Sequence, residues 1–118
     1  MDSGERLVAA LAARFDQLMP LLAEHLDDNN GEVLPHVLFW NFTRAVVDSY
    51  LGRPSQVAWR EFVMILDEEY KRGDAYLRGI VDVSFLENLP FPDEDGHEIV
   101  MSLPVGLRAA FDRVRPGG

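Results

Sequence analysis

The sequence predicts an all-α domain of about five helices, on three observations. Apolar residues recur at three- and four-residue spacing through most of the chain, glycine and proline fall between those stretches, and the intervening turns are short. Short turns join antiparallel neighbours, so a compact antiparallel bundle is expected, or a short HEAT-like stack given two similar helices in succession.

The first helix is read over 5–28, where Leu7, Leu11, Phe15, Leu18, Leu22 and Leu26 share a face. Pro20 lies inside it and should kink it or break it in two. Asp-Asp-Asn-Asn-Gly at 27–31 is turn chemistry, with Gly31 suited to a helix end. Residues 34–51 form the next helix: Leu34, Val37, Leu38, Phe42, Val46 and Tyr50 line one face, and Trp40, Val47 and Leu51 add a second apolar edge. A helix apolar on most sides belongs at the centre of a domain. Gly52 and Pro54 end it, and Ser55 should cap a third helix running to Arg72, with Trp59, Phe62, Val63, Leu66 and Tyr70 inward. Gly73 then reads as its C′ residue and Asp74 as the next N-cap.

Residues 74–89 carry two periods at once. Val81, Val83 and Phe85 alternate with polar residues as in a strand, whereas Leu77, Ile80, Val81, Ser84 and Asn88 share a helical face. The strand would need 98–103 as a partner for 80–86 across a loop longer than hairpins normally use. The helix is favoured, and an α+β fold with that hairpin is the alternative. Leu107, Ala110, Phe111 and Val114 predict a last helix over 104–114, with 115–118 fraying.

The 118 residues fit one domain, and 47% hydrophobic with 10% aromatic residues is enough for a packed core. No apolar run reaches the roughly 18 residues a membrane span needs. Acids precede the first apolar stretch, unlike a secretory signal, so a cytoplasmic location is expected. The absence of cysteine excludes disulfides and thiol chemistry.

Twenty acids against eleven bases leave a net charge of −9. Nucleic acids and anionic membranes are disfavoured by that charge, while a basic protein would be drawn in. No nucleotide-binding loop, nucleophile elbow or zinc-protease motif is present, so neither catalysis nor a cofactor is expected. Asp93, Asp95, His97 and Glu98 have donor atoms for a metal, but Gly96 falls only three residues after Asp93 and the EF-hand spacing fails. A solvated acidic loop accounts for them better. Asp67, Glu68 and Glu69 crowd the negative end of their helix, a placement that Lys71 and Arg72 would offset. His36 shares a helix side with Trp40, and Glu87 and Asn88 close an apolar segment. Those four residues would either line a groove or, for the last two, cap a helix.

Two stretches, Leu34-Pro35-His36-Val37-Leu38-Phe39 with Phe42 and Val83-Ser84-Phe85-Leu86-Glu87-Asn88-Leu89, together with Leu103-Pro104-Val105-Gly106-Leu107, resemble a small bacterial domain family of unknown function. The resemblance spans about residues 30–112 and departs from the family pattern at Trp40 and Asn41. It implies a helical domain of the type seen in immunity proteins that neutralise toxins, and it carries over no catalytic residue.

The expected role is therefore protein binding, with a basic toxin as the sharper partner. Asp67, Glu68, Glu69, Asp93, Glu94 and Asp95 would steer the encounter, and Leu89 and Phe91 would supply apolar anchors. The alternatives are a small-molecule or enzymatic pocket near His36, Trp40 and Glu87, and a homodimer burying the Trp40, Val47 and Leu51 edge. The chain would otherwise be a monomer.

Overall fold

The computed structural model describes residues 1–54 and 56–118, whose regular structure is all helical, with no strand among them. Asp2 starts the first helix, α1 (Ser3–Arg14), by accepting the Glu5 N–H at 2.8 Å. Of the kink or break expected from Pro20 within 5–28, the structure has the break, into two helices. Phe15 is extended, Asp16–Leu18 form a 3₁₀ turn, and α2 (Met19–Asp28) follows. Pro20 accounts for this: it cannot donate to the Asp16 carbonyl, and its ring crowds that carbonyl, so it is accommodated in the first turn of a new helix.

Gly31 and Gly52, both at positive φ, bracket α3 (Pro35–Tyr50). The next helix, α4 (Trp59–Arg72), starts later than expected, with Ala58 as N-cap; the expected cap at Ser55 lies outside the described residues. The preceding loop is spent on packing: Val57 is buried, and its N–H donates to Ser49 Oγ at 2.8 Å. Gly73 does not adopt the left-handed cap conformation expected of it. It is extended (φ −74°, ψ 155°) and is there for space, since a Cβ would lie 2.7 Å from Leu77 Cδ2. Asp74 caps α5 (Ala75–Ile80) as expected, accepting from the Leu77 N–H at 2.9 Å, and it also accepts from the Ser3 hydroxyl of α1.

Beyond Ile80 the chain stays helical but changes pitch, first to a π-helix over Val81–Phe85 and then to a 3₁₀ turn over Leu86–Asn88. The helical reading of 74–89 therefore holds. The hairpin of 80–86 with 98–103 does not form, and His97–Ser102 is a 3₁₀ helix. The last helix is α6 (Val105–Val114).

Helix α3 is central, touching α1, α2, α4, α5 and the π-helix, while α1 packs on α5 and α4 on α6. Such closure is a bundle, not a stack in which each unit meets only its neighbours. The radius of gyration of 13.4 Å agrees, matching the roughly 13.5 Å of a compact chain of this length. At the centre Phe39 meets Phe85 edge-on with centroids 6.2 Å apart, and Phe62 joins Phe15 at 5.5 Å.

Two polar side chains are built into this interior. His25 is buried, and its Nε2 accepts the Leu34 N–H at 2.9 Å, pinning the chain ahead of α3. Asp67 is 4% exposed, and its Oδ1 accepts the Leu107 N–H at 2.9 Å, capping α6 from outside that helix. Gly106 makes the approach possible, because a Cβ there would stand 2.6 Å from Asp67 Oδ1.

Candidate functional site

The most distinctive surface feature is the turn from Leu89 to Glu98. It is apolar beneath and acidic above. Leu89 and Ile99 are buried, whereas Phe91 is 54% exposed and Asp93, Glu94, Asp95 and Glu98 all face solvent. Local bonds fix its course: Glu94 Oε1 accepts the Phe91 N–H at 2.8 Å, the Glu94 N–H donates to the Phe91 carbonyl at 2.9 Å, and His97 Nδ1 donates to the Pro90 carbonyl at 2.8 Å.

Arg115 holds the turn from below. The tail expected to fray from residue 115 is tied down, with Arg115 only 8% exposed. Its guanidinium donates to the carbonyls of Leu86, Leu89, Pro90 and Gly118. It also lies 4.3 Å from the centre of the Phe91 ring and 4.9 Å from that of Phe111. Among the described residues no carboxylate pairs with it. Burial pulls its pKa below the usual arginine range, and the charges of Glu94 and Glu87 oppose that shift. A buried cation held through its two terminal nitrogens by carbonyls and against ring faces, with its Nε left without a partner, thus fixes the exposed face of Phe91.

The residues expected to form one docking surface are not brought together. Asp67 is a buried cap and leaves the surface, although its Oδ2 still pairs with Lys71 at 3.1 Å. Leu89, expected as an exposed anchor, is 1% exposed and belongs to the core. Glu68 and Glu69 face a groove between α4 and α1, where Lys71 and Arg72 pair with them. Glu94 and Asp95 line a different groove of about 250 Å³ with Thr43, Arg44, Val47 and Asn88, and the two grooves share no residue. Among the described residues, Asp93, Asp95 and Glu98 form no ion pair.

The second set behaves differently again. His36 and Trp40 are exposed on α3, with the Arg44 guanidinium stacked 4.9 Å from the centre of the Trp40 ring. Glu87 is exposed, and Asn88 is a cap that donates to the carbonyls of Val83 and Ser84 at 3.1 and 3.2 Å. Sequence reasoning missed a Ser–His contact: His36 Nδ1 lies 3.0 Å from Ser84 Oγ, across 48 positions of chain. Ser84 is 3% exposed, which closes its hydroxyl to a substrate. The pair instead fastens α3 to the π-helix, where Thr43 Oγ1 also donates to the Ser84 carbonyl at 2.8 Å. A π-helix frees carbonyls from the regular ladder, and here Thr43 and Asn88 satisfy one of them.

Among the described residues no three His, Asp or Glu side chains converge as metal ligands, and no helix is long and apolar enough to cross a membrane. No curated protein and no solved structure matches the chain. The profile of one family, a domain of unknown function designated DUF7674, matches residues 8–115, all but the two ends of the sequence. The chain belongs to the DUF7674 family.

Proposed function

We propose that this protein is a binding module for a basic protein partner and that its docking element is the Pro90–Glu98 turn. The observation that carries this reading is Phe91, held half-exposed by Arg115 and flanked by the unpaired carboxylates Asp93, Asp95 and Glu98. An aromatic anchor fixed before contact loses little entropy on binding, so its apolar area converts into affinity efficiently. Unpaired acids around it attract a cationic surface and raise the association rate. A partner whose function depends on a cationic groove, such as a basic toxin, would be blocked by occlusion, without a catalytic step by this chain.

The test is co-expression with the products of adjacent reading frames, followed by purification. A basic protein should co-purify and be released by salt, and either Phe91→Ala or Asp93→Lys with Asp95→Lys should abolish its retention. Glu68→Lys, on the separate groove, should leave it bound. Retention unaffected by the changes at 91, 93 and 95 would sink the assignment.

A further inference from the structure

A second surface, on the α1 and α4 face, is independent of that turn. Helices α1 and α4 run antiparallel: Arg14 pairs with Glu61 at 2.9 Å at one end, while Ser3 and Arg6 lie beside Gly73 and Asp74 at the other. Between them two openings of about 570 and 390 Å³ share Ala10, Glu69 and Arg72, so they form one continuous groove. It extends along the 12 residues of α1, a length of about 18 Å. Leu11 and Ile65 line its apolar base, and Met64 stands beside them 64% exposed.

The two lips have opposite charge. The α1 lip presents Arg6, Ala10 and Arg14 at four-residue spacing, and the α4 lip presents Glu61, Met64, Glu68 and Glu69 with Arg72 among them, which leaves it net acidic. We propose that this groove is the interface of a two-fold homodimer, occupied by α1 and α4 of a second copy. A two-fold axis parallel to the helices lays α1 of one copy over α4 of the other at the same height. Arg14 of each copy then faces Glu61 of its mate, and the small Ala10 leaves room for the opposing Met64. The result is an antiparallel four-helix packing with an isologous contact. A foreign helix would need an apolar stripe with one basic and one acidic flank at this spacing, and the chain already carries that surface itself. Charge complementarity therefore selects a second copy.

Sedimentation velocity of the full chain in low salt, from micromolar to millimolar concentration, tests this. The wild type should double in mass with concentration. Met64→Arg should remain monomeric with an unchanged helical circular dichroism spectrum. Arg14→Glu and Glu61→Arg should each be monomeric alone, because each homodimer opposes like charges, whereas their equimolar mixture should dimerise, because both cross-contacts are then attractive. A wild type monomeric at every concentration would overturn the proposal and leave the groove to a helix of another protein. A dimer indifferent to Met64→Arg, or a mixture that stays monomeric, would overturn it too.

Discussion

Asp67 shows how one side chain can be withdrawn from the surface and committed to the fold. Its carboxylate caps α6 and pairs with Lys71, and Gly106 leaves it room. Asp67→Ala should cost about 1–3 kcal/mol in urea unfolding, because the buried Leu107 N–H loses its acceptor. Gly106→Ala should also destabilise, since its new methyl meets the carboxylate. In the double variant that clash is gone, so its cost should fall below the sum of the two. A strictly additive pair would contradict the contact. Asp74 provides the pH dependence. The Leu77 N–H first, and then the Ser3 hydroxyl, hold its carboxyl below the usual carboxylate range. A depressed folded-state pKa contributes stability above the unfolded value, about 3.9, that is lost as pH falls through the folded one. Asp74→Asn should therefore be less stable than wild type at neutral pH, and the gap should close in acid. A gap that stays constant down to strong acid would refute the linkage.

At the scale of elements, the π-helix depends on side chains for its backbone bonding. Thr43→Val and Asn88→Ala each remove a donor to the Ser84 carbonyl and should cost about 1 kcal/mol. Together they leave that carbonyl without either donor, so the double variant should exceed the sum, with hydrogen exchange at residues 81–88 accelerating before the rest of the chain. Uniform acceleration would show that the segment opens only with the whole fold. Much of this level was legible in the sequence, because periodicity and glycine placement report which residues face inward. That information sufficed for α3, for the Asp74 cap and for the helical reading of 74–89. Periodicity does not report what lies across the interface. A surface reading of Asp67 therefore fails where α6 covers it, and a joint reading of Leu89 with Phe91 fails where the chain turns between them. The Arg115 clamp joins positions far apart in sequence through carbonyl oxygens, which leave no mark on residue type. Phe91 and the 93–95 acids needed only local reading, and they stayed exposed.

Over the whole molecule, charge is unevenly spread. Residues 15–43 and 79–107 contain no lysine or arginine, while most bases are matched by neighbouring acids across α1, α4 and α6. Screening should therefore relieve more repulsion than it weakens attraction, because the exposed ion pairs are each worth little and nine negative charges are left over. Thermal unfolding should shift upward between about 0.01 and 0.15 M sodium chloride, as the screening length contracts from roughly 30 to 8 Å. A melting temperature that falls with salt would show that the ion pairs dominate.

Lys71 is the only lysine in the chain, and its hydrogen bond to Asp67, with the charges of Asp67 and Glu68, raises its pKa. Only an uncharged amine attacks an acylating reagent, so this ε-amino group should react slowly at neutral pH. Asp67→Asn should speed its acylation without adding a second side-chain site. Labelling mapped to Lys71, and so distinguished from that of the more reactive N-terminal amine, would then report whether the α4–α6 junction is closed.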